Sequence, residues 1–387
     1  VTSARASALA ALLTACSGAG EPPVATPGGA PADARPASPP DAAPPPDAAP
    51  RQVEWLRGST HVHALPSGDS KTPIPDVIAW YEAHDYDFIF LTDHNRVSEV
   101  AADASTAGQP WVRWPGQHER ARDRELIVLA GSELTFNPDV CDPPAPERDG
   151  KCRIHLNALG PTARPGERIE WPQRDSPVRL VQIERAVAKA RELGAPLVQL
   201  NHPQWHWGMT ASLLVDAIGR GVTHMEIANK QFATWNAGTA VYPSTEQLWD
   251  AALATGATVW GVASDDAHHY TDDPAAQYPA GGSYVVVRAA REPAAILAAL
   301  AAGQFYASTG VELARAETAG PALVVEVADG SPGAHTIRFI VDGKPAAALA
   351  GRAAAFPIPA TGSVRAVVER VDGAMAWIQP VRASATR

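Results

Sequence analysis

Nine side chains able to bind a metal recur along this 387-residue chain, and six of its twelve histidines are among them. They are His61, His63, Asp69, His94, Glu133, His155, His202, Asp266 and His268. His61-Val62-His63 sets two imidazoles on one face of a strand, because side chains alternate with a period of two. Asp69 follows in the turn Ser67-Gly68-Asp69, which can fold a carboxylate back toward the same place. His94 stands in Thr92-Asp93-His94-Asn95 and His202 in Asn201-His202-Pro203. Asp266-Ala267-His268 brings an acid and an imidazole together. A core has no need of such groups, whereas several metal ions at one mouth would need all of them.

The elements that must position them are short. Apolar runs at Val53–Thr60, Phe88–Leu91, Leu126–Ala130, Ile154–Leu159, Pro196–Leu200, Met225–Ala228, Val259–Ala263 and Tyr284–Arg288 read as strands. Most end in one of the nine residues. Amphipathic stretches at Pro75–His84, about 177–193 and about 292–302 read as helices, the first with Pro75 in its opening turn. This alternation predicts α/β architecture with a largely parallel sheet or barrel, and the count fits a closed barrel of about seven strands better than an open sheet.

The texture changes after about residue 318. Leu323, Val325 and Val327 alternate, as do Ile337, Phe339 and Val341, and Val364, Ala366 and Val368. Asp342-Gly343 and Asp372-Gly373 are hairpin-turn pairs. A small antiparallel β-sandwich over 318–387 is expected, with Trp377 in its core. It carries one histidine and no carboxylate cluster, so packing or lid support is its expected role.

Composition narrows the class. The net charge of −10 comes with no block of Lys and Arg, which argues against a nucleic-acid partner. Residues 1–16 read as a lipoprotein-type export segment: Arg5, the apolar Ala8–Leu13, then Leu13-Thr14-Ala15-Cys16, with Cys16 the residue to be lipidated. Eleven of the 36 prolines fall between Pro22 and Pro50, so 17–50 is expected to be a disordered tether. Together these predict an exported bacterial envelope protein, touching a membrane only through its lipid. Cys141 and Cys152 are then natural disulfide partners, since ten intervening residues match no usual zinc spacing.

With those residues in order, the stretch 54–313 resembles the PHP (polymerase and histidinol phosphatase) metallohydrolases. The pieces His155-Leu156-Asn157-Ala158-Leu159-Gly160, Glu226-Ile227-Ala228-Asn229 and Ser308-Thr309-Gly310 are similar to the CehA/McbA-like subgroup, which includes a carbaryl hydrolase. The resemblance implies a distorted (β/α)7 barrel over 53–313 with a trinuclear metal site at its C-terminal mouth. It implies that His61, His63, Glu133 and Asp266 hold one ion, and that Glu133 bridges to a second held by His155 and His202. Asp69, His94 and His268 would hold the third. Asp265 competes with Asp266 for the carboxylate position, and the D-x-H spacing favours Asp266. Asp93 is expected to orient an imidazole, and Asn95, Asn201 and Asn229 to serve as turn or hydrogen-bonding residues.

Two or three divalent ions (Zn, Mn or Fe) among three carboxylates and six neutral imidazoles would leave a positive basin, suited to a phosphoester. The expected reaction is hydrolysis by a hydroxide shared between two ions, without a covalent enzyme intermediate. His206 and His269 are the candidate acids, and Arg96, Arg153 and Lys230 the candidate anion clamps. Carbamate or carboxylic ester hydrolysis is the competing activity, for which Trp205, Trp207, Phe232 and Trp235 could line a pocket, although barrel packing explains them as well. A non-enzymatic metal-binding surface lipoprotein is the remaining alternative.

Overall fold

The computed structural model describes residues 52–98, 121–142, 144, 146, 153–164, 166, 168–273 and 275–383. The export segment with Cys16, the 17–50 tether and Cys152 lie outside them. Cys141 is buried and disulfide-bonded.

Seven strands follow one another in space in chain order: β1 (Val53–Val62), β2 (Phe88–Leu91), β3 (Ile127–Phe136), β4 (Ile154–Leu159), β5 (Leu197–Leu200), β6 (His224–Asn229) and β7 (Trp260–Ser264). Runs such as Phe88-Ile89-Phe90-Leu91 are buried along their whole length, as strands covered on both faces must be. Gly58 of β1 is required by close approach, since a Cβ there would lie 2.3 Å from the Phe88 ring of its neighbour.

Two features differ from a regular barrel. First, β4 runs antiparallel to both β3 and β5, with Thr135 opposite His155 and Leu156 opposite Leu200. His155 therefore stands near the start of its strand, while His61 and Glu133 stand within the last four residues of theirs and His63 and Asp266 just beyond the ends of theirs. The reversal is what brings His155 to the same mouth. Second, β7 forms no ladder with β1. The seam carries an isolated bridge between Val62 and Ala267, where His63 N donates to Ala267 O at 3.0 Å. The fold is thus mixed α/β around a large sheet that does not close into a barrel.

The sheet instead continues past β1 through two antiparallel strands, β8 (Tyr284–Ala290) and β9 (Phe305–Ser308). From β9 it runs into the C-terminal strands β16 (Met375–Val381), β15 (Val364–Arg370), β12 (His335–Val341) and β13 (Lys344–Ala350). A separate three-stranded sheet is made by β10 (Leu313–Ala319), β11 (Ala322–Val327) and β14 (Ala353–Pro357). Leu323, Val325 and Val327 pack against Ile337, Phe339, Val364 and Val368 in one buried cluster. The Phe339 and Phe356 rings stack at 5.1 Å between the two sheets. Trp377 is buried, but it joins the cluster that underlies β4–β7, and its Nε1 donates to Glu246 Oε2 at 2.9 Å.

Helices α1 (Ile74–Ala83), α2 (Arg179–Glu192), α3 (Ala211–Arg220), α4 (Ala233–Asn236), α5 (Thr245–Ala254) and α6 (Pro293–Ala301) connect these strands. Thr210 caps α3 by accepting from Leu213 N, and Ser244 with Gln247 forms a reciprocal box at α5, each cap worth about 1 kcal/mol. Among the described residues no helix is long and apolar enough to cross a membrane.

Candidate metal centre

All nine residues singled out above converge on one mouth. Their nitrogen and oxygen atoms form three overlapping groups able to hold a cation: His61, His63 and Glu133; Glu133, His155 and His202; and His63, Asp69, His94 and His268. Asp266 adds to the first group, its Oδ1 lying 3.2 Å from both His61 Nε2 and His63 Nε2. Glu133 and His63 are each shared between two groups.

Glu133 sits at the centre, and its two oxygens face different sets of imidazoles. Oε1 lies 3.2 Å from His155 Nδ1, 3.4 Å from His61 Nε2 and 3.7 Å from His202 Nε2. Oε2 lies 2.8 Å from His94 Nδ1 and 3.5 Å from His63 Nε2. Asp69, half exposed at the rim, joins His94 Nε2 at 2.8 Å to His268 Nε2 at 3.1 Å. It reaches that place because Leu65–Ser67 forms a tight turn that Gly68 ends at φ +93°, a conformation that favours glycine.

The imidazoles are held from behind. His61 Nδ1 lies 2.8 Å from Glu226 Oε1, His63 Nδ1 3.0 Å from Ser67 Oγ, His155 Nε2 2.9 Å from Asn137 Oδ1, and His268 Nδ1 2.8 Å from the Asp266 carbonyl. Each contact occupies one ring nitrogen and leaves the other for the cluster. His61 Nε2, His63 Nε2 and Glu133 Oε2 are buried and make no hydrogen bond despite their close neighbours. Such orphaned atoms are costly unless something fills the space between them. A mixed imidazole and carboxylate donor set with inward lone pairs fits divalent cations.

The electrostatics set the imidazoles apart, holding His63 neutral and favouring the charged form of His61 and His94 among the carboxylates. Burial, with His268 and His94 beside it, drives His63 down to about 3, so it stays a neutral donor. Burial opposes ionisation of Glu133 and Asp266, yet the histidines around each outweigh it and hold both well below the usual carboxylate range. Burial also opposes a charged His94, but Glu133 and Asp69 together raise it to about 10. Ionised carboxylates in a buried basin require positive charge among them.

The neighbouring polar residues sort by their hydrogen-bond partners, and among them Asp93 departs from the sequence reading. Asp265 turns away from the mouth and accepts from Gly281 N, Gly282 N and Ser283 N at 2.6–2.8 Å, leaving Asp266 as the carboxylate of the cluster. Asp93 does not orient an imidazole. It accepts from Ala64 N at 2.7 Å and from the Ser98 hydroxyl, which pins the backbone just after His63. Burial raises Asp93 to about 7. Asn95 exchanges two hydrogen bonds with the Thr135 backbone, and Asn201 donates to Glu133 Oε1 at 2.9 Å. Asn229 donates to Glu226 Oε2 at 2.9 Å.

A cavity of about 310 Å³ opens over the cluster, lined beyond the cluster residues by Trp205, Phe232, His269, Gln277 and Tyr278. Of the two candidate acids, exposed His269 lines it, whereas His206 is buried and lines a neighbouring cavity with Arg153 and Trp235. Lys230 borders a further cavity beside Thr309 and Arg370, and neither it nor Arg96 lines the metal cavity. Trp207 is buried and stacks on Tyr242 at 4.9 Å, so it is packing. Glu226, fully buried behind His61, was legible only as part of a motif and not as a member of the site. Backbone strain concentrates here too: Asn95, His202, His206, Asp266 and Tyr278 all have φ between +26° and +54°.

No family model matches the sequence. Among solved structures, the chain is similar to a two-domain protein from Bacteroides vulgatus ATCC 8482 whose crystal structure contains a predicted PHP-like metal-dependent phosphoesterase. The similarity covers 85% of this chain and 96% of that one, at 13% identity and a TM-score of 0.43. The chemistry of this chain therefore rests on its own side chains.

Proposed function

We propose that this protein is a PHP-type, metal-dependent hydrolase that cleaves phosphoesters. The observation that carries the reading is Glu133, whose two oxygens face separate imidazole sets at the floor of an open cavity. His61, His63, Glu133 and Asp266 would hold one divalent ion, Glu133, His155 and His202 a second, and Asp69, His94 and His268 a third. When bound, such ions supply Lewis acidity and ionise water near neutral pH.

The chain's own groups do the rest. Three dications against Asp69, Glu133, Asp266 and the Glu226 carboxylate behind His61 leave the basin positive, which favours a substrate that carries negative charge. His269, on the cavity wall, is the group placed to pass a proton to a departing alcohol, and buried His206 is not. Trp205, Phe232 and Tyr278 give the cavity an apolar side for the organic part of an ester.

That apolar side also favours a second reading, hydrolysis of aryl carbamates or carboxylic esters at the same centre. Turnover of an aryl phosphate, an aryl phosphodiester and an aryl carbamate by metal-replete protein separates the two. Phosphatase activity lost in His63→Ala, with the fold kept, supports the first reading. Fast carbamate cleavage with no phosphoester turnover overturns it. Wild type that binds metal and turns over none of the three substrates would favour a non-enzymatic metal-binding role. Export and lipid anchoring at Cys16 remain part of the proposal, resting on the Leu13–Cys16 pattern.

A further inference from the structure

The residue with the largest unexplained investment in this mouth is Glu226. It is fully buried on β6, and five partners converge on its two oxygens. Oε1 accepts from His61 Nδ1 at 2.8 Å, Gln199 Nε2 at 3.2 Å and the Ser264 hydroxyl. Oε2 accepts from His202 N at 2.6 Å and Asn229 Nδ2 at 2.9 Å. With the His61 proton on Nδ1, all five partners are N–H or O–H donors, so a carboxylate satisfies the set and an amide of the same shape cannot.

Two of the five donors belong to ligand residues of different groups. The bond to His61 Nδ1 keeps that proton on the outer nitrogen and turns Nε2 toward Glu133 and Asp266. The bond to His202 N holds the backbone of a ligand in a strained conformation, φ +26°, that places its ring 6.1 Å from the His61 ring. One oxygen thus sets a tautomer while the other sets a backbone. Asp69, His94 and His268 make none of these contacts.

We infer that Glu226 is a positioning residue that builds two of the three cation sites at once, through the His61 imidazole and the His202 backbone, and makes no contact with the ligands of the third. The inference rests on the metal-centre reading above. It predicts that the two sites are lost together when Glu226 changes, although Glu226 binds no cation itself. Outer contacts of this kind typically carry about 10–100-fold in metal affinity.

The test is a Co²⁺ titration of chelator-stripped full-length protein, reading visible absorption and metal content per chain, for wild type and Glu226→Gln. The expected result is at least a 10-fold loss of affinity for the ions of the two sites that use His61 and His202. One ion should still bind as in wild type. A general loss of structure would not spare one site selectively, so that pattern identifies positioning. A folded Glu226→Gln with the wild-type isotherm overturns the inference, as does equal weakening of every ion. If Glu226→Gln does not fold, Gln199→Ala and Ser264→Ala each remove one donor from Oε1. Both should then weaken the same ions a few-fold, and unchanged isotherms in both overturn the inference. Wild type that takes up no Co²⁺ sinks the functional reading itself, a different failure from wild type that binds and variants that match it.

Discussion

His155 and Glu133 are diagonal neighbours on two antiparallel strands, His155 standing opposite Thr135 and its Nδ1 lying 3.2 Å from Glu133 Oε1. The other oxygen of the same carboxylate lies 2.8 Å from His94 Nδ1. One side chain therefore spans imidazoles that come from opposite strand directions. Glu133→Ala should cost more than the roughly 100-fold in metal affinity typical of an outer contact, because two groups share this ligand. Phosphoesterase activity should fall with it. Calorimetric metal titration checks the first claim, and a Glu133→Ala protein that binds every ion as tightly as wild type would refute the assignment.

Metal removal should lower stability as well as activity. Ionised Glu133 and Asp266 are buried beside His61 and His63, whose inward Nε2 atoms make no hydrogen bond, an arrangement that bound cations complete. A ligand present at 1,000 times its dissociation constant stabilises the folded state by about 4 kcal/mol. Melting should shift down on chelation and recover on adding back Zn, Mn or Fe. A melting temperature indifferent to chelator, in protein shown to have held metal, would count against a built site.

His224 gives the fold an acid sensitivity of its own. It is buried at the start of β6, with Nε2 donating to Leu300 O at 3.2 Å, and burial lowers it from 6.5 to about 4. The unfolded chain therefore takes up this proton at higher pH than the folded one. Its stabilising contribution is complete above about pH 6.5 and declines as pH falls toward 4, by about 3 kcal/mol. His224→Gln can still donate to Leu300 O but does not titrate. Urea unfolding at pH 7 and pH 4.5 should show a smaller drop in the variant. Equal drops would mean that other groups carry the acid loss.

Much of the site was readable because strand ends are marked by composition. Phe88–Leu91 and Ile154–Leu159 stand where their apolar runs predicted, and the ligands follow from them. Strand direction is another matter. Periodicity is the same in a parallel and an antiparallel strand, so the reversal of β4 had no signature. Nor did the open seam between β7 and β1, or the continuation of the sheet through β9 into β16. Glu226 was hidden for a related reason. Its role arises from five partners at positions 61, 199, 202, 229 and 264, which only the folded chain brings together. Asp93 was misjudged because an acid beside a ligand histidine can equally hold backbone, as its bond to Ala64 N shows.

Arg365 ties the C-terminal strands to α5 and should matter for stability alone. Its buried guanidinium donates to Asp250 at 2.6 and 2.7 Å and to Glu246 at 2.9 Å, and lies over the Trp249 ring at 4.8 Å. Arg365→Met leaves two acids without their cation, a change expected to cost about 3 kcal/mol. Adding Glu246→Gln and Asp250→Asn to that variant should recover part of the loss. Metal content per folded chain should stay at the wild-type value throughout. A stability loss that the added changes deepen would show that the acids matter for another reason.

The apolar wall of the cavity makes the last prediction, which concerns the organic half of the substrate. Trp205 lies edge-on to His155 at 5.6 Å and to Phe232 at 5.2 Å, and Phe232 lies 4.5 Å from His202. The ligand rings and the aromatic wall are therefore one continuous surface. A planar substituent next to the scissile ester would lie along it, and an aromatic contact of this kind is worth about 0.5–1.5 kcal/mol. Phe232→Leu should raise KM for an aryl phosphate by about 2–10-fold, the range those energies convert to, and leave a small alkyl phosphate almost unchanged. The contrast between the two substrates decides the matter. Equal losses would mean that Phe232 acts by supporting His202, and that the wall does not touch substrate.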